Sequence, residues 1–352
     1  MSDEQNNTTP ATAAVDPKQT RLVKEWKYPA QLISTRWDGA GRFIYSSSTD
    51  HTIQRWDFET GAKTAFTGLD TWAGALALRQ DGLLYTGTYR GDLVLWNTVG
   101  DDPKPIHTYN AAHDGWIRNA SMSPDGNWMA TAGNDHVVQL WSTNEPIAAR
   151  KLEGHEDELY FSCFTPDSRQ LVSGGLNGMM RVWDVETGEF VREIDASEYV
   201  YFDPAYRARF GGTRCIAISD DSRWLACGGV GENVFSMAGE FKPGVIIYDW
   251  ETGEQTCELK AADASYWGNM RGLCFHPDGF LIGVAGGKHG GRIWFWNVDD
   301  GKETPFHEIK LPTAAKDCDF HDHKLILVAL YDGEPVRQVK TEIGGKIQVY
   351  TL

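Results

Sequence analysis

Chemical promise in this 352-residue sequence concentrates in two sets of side chains: His113, Thr131 and Asp135, then His155, Ser173 and Asn177. A histidine beside a hydroxyl and an acid suggests a nucleophilic hydrolase, but a triad is defined by geometry and not by composition. The same set recurs at matching positions of a repeat and includes a tryptophan, Trp141 or Trp183, which points to buried polar groups satisfying one another. Phe320-His321-Asp322-His323 has metal-ligating residue types, yet it falls where other repeats carry a Pro-Asp-Gly turn. The glycine-rich stretches 228–231 and 286–291 lack the Gly-Lys-Ser/Thr ending of a phosphate loop, so hairpin glycines account for them. Paired carboxylates suited to glycoside or metal-assisted hydrolysis do not emerge from the repeat. The reading is of a protein without cofactor or metal and without catalytic residues.

The elements that must position these residues announce themselves by repetition. Seven short β-rich segments close on an aromatic residue: Trp56, Trp96, Trp141, Trp183, Tyr248, Trp296 and Tyr350. The first steps are 40, 45 and 42 residues, the spacing of about 40 to 45 that a four-stranded propeller blade requires. Later steps of 65, 48 and 54 residues imply insertions. Turns recur between apolar runs too short for helices. Asp-Gly-type turns stand at 81–82, 124–126, 166–168 and 277–279, and Glu-Thr-Gly at 59–61, 186–188 and 251–253. The architecture expected is all-β, seven blades of four antiparallel strands.

Composition bounds the function. With 33 basic and 49 acidic residues the net charge is -16, which repels nucleic-acid phosphates and anionic bilayers. Six cysteines without a Cys-x-x-Cys pair sit mostly in apolar runs and read as reduced core thiols of a cytoplasmic protein. Residues 1–20 are polar and read as a disordered tail preceding a single domain over 21–352. No apolar run approaches the ~18 residues that cross a bilayer.

At Gly154-His155, which opens a unit closing on Trp183-Asp184, and at His113, which opens the one closing on Trp141, the sequence resembles the WD-repeat family over about residues 21–352. The resemblance implies a structural network of His113, Thr131, Asp135 and Trp141 in one blade. It implies a weaker network of His155, Ser173 and Trp183 in the next, where Asn177 replaces the acid. Tyr28, Leu69, Arg209, Tyr266 and Leu311 fall on the histidine position elsewhere, so those blades are expected to rely on packing. It also implies closure by the N-terminal strand, for which Arg21 to Trp26 is the candidate because only two residues follow Tyr350.

The same resemblance transfers a channel rim. Three positions after the histidine slot it places Trp72 and Trp116, and before the Asp slot Tyr89. Five positions after the histidine slot it places Arg118, Tyr160, Arg214, Arg271 and Lys316. An aromatic arc facing a basic arc on a strongly acidic protein is expected to hold an acidic or phosphorylated peptide or protein. The function expected is a non-catalytic protein-interaction scaffold; the alternative is a propeller hydrolase of esterase or lactonase type working in the channel. Three insertions flank the rim: the aromatic and arginine-rich 196–212, and the hairpin extensions 231–244 and 332–345.

Overall fold

Short apolar runs bounded by turns become strands, from the four residues of Lys63–Phe66 to the twelve of Trp224–Phe235. The structure is a computed structural model and describes residues 14–144, 148–235, 240–287, 289–332 and 344–352. The hairpin extensions at 231–244 and 332–345 lie partly outside the described residues. Seven four-stranded antiparallel sheets form the blades: 32–66, 73–109, 117–152, 159–195, 215–260, 269–311, and 315–351 completed by Arg21–Tyr28. In each blade the strands follow chain order from the axis outward, and every innermost strand packs on those of the two neighbouring blades. The ring therefore closes on itself.

One aromatic residue on the third strand anchors each blade. Trp56, Trp96, Trp141, Trp183, Tyr248, Trp296 and Tyr350 are all buried, wedged among the aliphatic side chains between adjacent sheets. Flat side chains of this size bury large areas and set the spacing between blades.

The ring closes twice at the junction of blades 7 and 1. On the outside, Arg21–Tyr28 pairs antiparallel with Gly344–Thr351, Arg21 opposite Thr351 and Tyr28 opposite Gly345, which covers the edge that blade 7 would otherwise expose. On the inside, two carboxylates of the innermost strand of blade 7 hold the innermost strand of blade 1. Asp317 accepts hydrogen bonds from Ser34 Oγ and Thr35 N, both at 2.8 Å, and pairs with Arg36 at 2.8 Å. Asp319 accepts from Trp37 N at 2.7 Å. Residues 14–20 also engage the ring. Pro17 is buried in a helical turn, Val15 packs against the core between blades 6 and 7, and Val15 N donates to Asp278 Oδ2 at 2.7 Å.

Removing residues 1–28 should open blade 7 and lower the melting temperature by more than about 10 °C, whereas removing residues 1–13 should shift it by less than about 2 °C. Equal melting of the two truncated proteins by differential scanning calorimetry contradicts closure through Arg21–Tyr28.

Candidate functional site

On the lower face of the disc lie the Asp-Gly-type and Glu-Thr-Gly turns. The second-to-third-strand hairpins and the blade-to-blade connections lie on the upper face. A β-bulge recurs where the innermost strands reach the upper face. The pairing with the second strand skips one residue between Ala73 and Ala75, Ile117 and Asn119, Leu159 and Phe161, Met270 and Gly272, and Ala315 and Asp317. Those residues are Gly74, Arg118, Tyr160, Arg271 and Lys316. In blade 1 the shift spans Ile33 and Ser34, and in blade 5 Arg214 sits just ahead of the strand. A bulge frees a residue from the pleat and re-aims its side chain, so all seven blades deliver one residue at the same height. Ile33, Gly74, Arg118, Tyr160, Arg214, Arg271 and Lys316 together line a cavity of about 180 Å3 at the upper mouth of the axial channel.

The aromatic residues at this mouth do not form an arc facing the cations, as the sequence suggested; the two types interleave. Trp72 meets Tyr89 edge-on at 5.5 Å, and Tyr89 stacks on Trp116 at 4.4 Å. Arg118 lies over both Trp116 and Tyr160, at 4.8 and 5.0 Å, and Arg214 lies over Tyr160 at 4.1 Å. The result is a continuous ladder, Trp72-Tyr89-Trp116-Arg118-Tyr160-Arg214, across blades 2 to 5, in which each guanidinium rests on a negative ring face. Gly74 makes room for it: a Cβ there would stand 2.8 Å from the Tyr89 ring. Trp72 donates to Thr49 O at 2.9 Å and Arg118 Nε to Asn134 Oδ1 at 2.5 Å, which fixes both ends of the aromatic half. Trp72 and Trp116 each remain 40% exposed, a large area of rigid aromatic surface left uncovered.

Beyond the ladder, Arg271 and Lys316 continue the positive arc, Lys316 over the Tyr331 ring at 4.3 Å. Arg118, Arg214, Arg271 and Lys316 form no ion pair with any described carboxylate. Burial, the crowding of Arg271 and Arg118 adding to it, pulls the Arg214 guanidinium below the ordinary arginine value. Sequence reasoning missed Arg36 and Tyr331 here. Asn134, before the Asp slot, belongs to the rim register, whereas Arg36 lies three residues beyond Ile33, the rim position of its blade.

Below the mouth the channel widens into a larger chamber lined by Trp37, Leu76, Phe161, Cys163, Cys274 and Phe320, among others. Burial pushes the Cys163 and Cys274 thiols up to about 12, so neither is a nucleophile at neutral pH. None of the six cysteines forms a disulfide. His321 packs beside Trp37 at 5.6 Å and His323 Nε2 lies 3.7 Å from Asp220. Among the described residues no three His, Cys, Asp or Glu side chains are disposed to hold a metal ion.

The His/Thr/Asp set is a buried hydrogen-bonded chain. His113 meets Asp135 Oδ1 through Nδ1 at 2.9 Å and Thr131 Oγ1 through Nε2 at 2.8 Å, and Trp141 Nε1 donates to the same hydroxyl at 2.9 Å. Thr131 is fully buried, so no substrate carbonyl can reach it. In the next blade His155 and Trp183 share Ser173 Oγ at 2.7 and 2.8 Å. Two other blades differ from the sequence reading. In blade 1 Tyr28 does more than pack, because its hydroxyl donates to Asp50 Oδ2 at 2.5 Å, the counterpart of Asp135. In blade 5 the histidine place belongs to Tyr199, not Arg209. Tyr199 is buried against Gly229, which is in register with the Gly133 that faces His113 in blade 3, whereas Arg209 lies half-exposed on a hairpin and pairs with Asp157. That hairpin, Val200–Asp203 with Ala208–Gly211, is the 196–212 insertion. It stands on the upper face with Phe202 and Tyr206 exposed and is tied down by Tyr201 Oη donating to Gly231 O at 2.8 Å.

Comparison with known proteins bears on the fold and on the kind of assembly. The model of the WD domain, G-beta repeat, matches residues 103–142 and 148–184, from the outer strand of blade 2 to the third strand of blade 4. An uncharacterized WD repeat-containing protein of Schizosaccharomyces pombe is 28% identical over 166 residues, 45% of this chain and 44% of that protein. Apoptotic protease-activating factor 1 of Rattus norvegicus is 25% identical over 151 residues, 43% of this chain and 12% of that protein. The protein LST8 homolog of Drosophila melanogaster is 24% identical over 260 residues, 71% of this chain and 74% of that protein. The chain thus spans under half the length of the first two. No helix among the described residues is long and apolar enough to cross a membrane.

Two predictions follow from the buried chains. Thr131→Ala strands the indole N–H of Trp141 and one imidazole nitrogen, so it should cost about 2–4 kcal/mol in denaturant unfolding, at ~1–3 kcal/mol for each buried orphan. Burial, with Arg181 and His136 nearby, lowers His155 from 6.5 to about 3 in the folded state. Its contribution to stability is therefore present above pH 6.5 and lost as pH falls from there toward 3, because the unfolded chain takes up the proton first. Melting temperature should decline through that window, and His155→Gln should flatten the decline; an unchanged slope contradicts the assignment.

Proposed function

The chain is a seven-bladed β-propeller of the WD-repeat family, and from that premise we propose that it is a non-catalytic interaction scaffold whose partner, an anionic peptide or protein segment, docks over the upper channel mouth. The observation that carries this reading is the cation–aromatic ladder of Trp72, Tyr89, Trp116, Arg118, Tyr160 and Arg214. Rigid aromatic rings and arginine forks are the residue types that dominate binding energy when a partner desolvates them. They are concentrated here on one face of a chain that is otherwise strongly acidic. Acidic or phosphorylated segments supply the matching chemistry, because a guanidinium fork bonds a carboxylate or phosphate through two parallel N–H groups. The related proteins support the scaffold role in kind: the LST8 protein of Rattus norvegicus, 20% identical over 239 residues, is named a subunit of the target of rapamycin complex.

The exposed Phe202 and Tyr206 on the neighbouring hairpin extend this face toward blade 5. Reduced cysteines suit a cytoplasmic setting. Nucleic acid is a poor fit, since a net charge of -16 repels a phosphate backbone.

Affinity capture from lysate with quantitative mass spectrometry tests the reading. Trp116→Ala and Trp72→Ala should each cut recovery of the bound partner at least about tenfold, chiefly through faster dissociation. Arg118→Ala should weaken it several-fold and reduce its salt dependence. A partner recovered equally by all three variants places the interface elsewhere, and hydrolysis of esters or lactones by the purified chain contradicts the non-catalytic assignment.

A further inference from the structure

We propose that the throat of the channel, beside and beneath the ladder, binds a compact polyphosphate of the pyrophosphate or small-bisphosphate class, as a ligand separate from the macromolecular partner. The inference goes beyond the partner reading and shares with it only the positive potential of the mouth.

Arg214 Nε and Arg271 Nε are shielded from solvent and lack a hydrogen-bond partner, and both residues line the mouth from adjacent blades. Nearly all buried polar groups are paired, and among the unpartnered buried polar atoms of the described residues these two are the ones that belong to the mouth. The surrounding charge has the same sign. Arg36, Arg118, Arg214, Arg271 and Lys316 line the mouth, and the one carboxylate among the described lining residues, Asp317, is already engaged by Ser34, Thr35 and Arg36. Cations crowded together in a partly desolvated site destabilise one another unless an anion joins them.

The form of the site selects among anions. A single carboxylate satisfies one guanidinium fork, whereas the donors here converge from blades 5, 6 and 7 around a ring, which suits tetrahedral groups carrying oxygens in several directions. Arg36 and Arg271, with Asn119, Phe161 and the engaged Asp317, line both the mouth and the chamber below it, so they stand where the two meet. A cavity of about 180 Å3 is smaller than the ~300–1,000 Å3 typical of pockets for drug-sized ligands, which favours a compact anion. Arg118, by contrast, is held by Asn134 and lies over two rings, which assigns it to the rim, whereas Arg214 and Arg271 each keep an Nε donor without a partner.

The test is thermal unfolding and calorimetric titration of the full chain with sodium pyrophosphate, against sodium sulfate at matched ionic strength. Pyrophosphate should raise the melting temperature by several degrees at about 1 mM, saturating as one site, while sulfate does little. The double variant Arg214→Met, Arg271→Met should lose the rise, and without ligand it should melt no lower than the natural protein, since it deletes two uncompensated cations. Arg271→Lys, which keeps the charge but not the fork, should weaken binding about tenfold and covers the case in which the double variant does not fold. Trp72→Ala, outside the throat, should keep the full response. Equal responses to pyrophosphate and sulfate, or a rise retained in the double variant, overturn the proposal. Such a failure leaves the partner reading standing if capture still depends on Trp72 and Trp116. Loss of that dependence with the pyrophosphate response intact removes the partner reading alone.

Discussion

Closure of the ring is the constraint on which the rest of the structure depends. A blade alone is an open sheet with one polar edge toward the axis and another toward solvent, and seven of them have a defined geometry only when the last is fastened to the first. That fastening joins residues some three hundred positions apart twice over: through the strand Arg21–Tyr28 on the outside, and through Asp317 and Asp319 on the inside. Once the ring is closed, the innermost strands share one level. A bulge at the same register in five blades, a longer shift in blade 1 and Arg214 just ahead of its strand in blade 5 then bring one residue from every blade to one circle. The channel mouth follows directly from closure plus a repeated bulge.

What occupies that circle is chosen against stability. A chain of net charge -16 could neutralise a basic rim easily, yet Arg118, Arg214, Arg271 and Lys316 have no described carboxylate partner, and two of them keep unpartnered donors. Many polar groups elsewhere find partners. The turn carboxylates Asp57, Asp184 and Asp249 accept backbone N–H groups and are held below the usual carboxylate range by those bonds, and the buried hydroxyls of Thr131 and Ser173 each serve two partners. Two unpartnered guanidinium donors on the wall of one cavity are a local violation of the kind expected at functional sites.

The repeat was legible because each blade is a local unit. The closing aromatics, the turns and the His113 and His155 sets all lie within some forty residues, and the all-β propeller followed from their spacing. The seven circle positions were legible too, since a register carried from residue to residue survives wherever the innermost strand is regular. What escaped was long-range or geometric. Arg209 was placed in the core because counting back from the innermost strand of blade 5 runs through the 196–212 insertion, where the chain folds into its own hairpin and leaves Tyr199 to fill the slot. The interleaving of cations and rings escaped because a one-dimensional register gives a height on the axis but not the direction in which Arg118 and Arg214 lean. The inner latch escaped because Asp317 and Asp319 meet Thr35 and Trp37 only after the ring has closed.

Hydrogen–deuterium exchange on the chain alone and with its captured partner addresses the assigned face directly. The docking reading predicts protection concentrated in the upper ends of the innermost strands, at residues 114–118, 158–162 and 212–216, and in the 200–211 hairpin, with the outer strands 105–109 and 190–195 unchanged. Protection of those outer strands or of the lower-face turns, with the upper mouth exchanging as in the free chain, would contradict it.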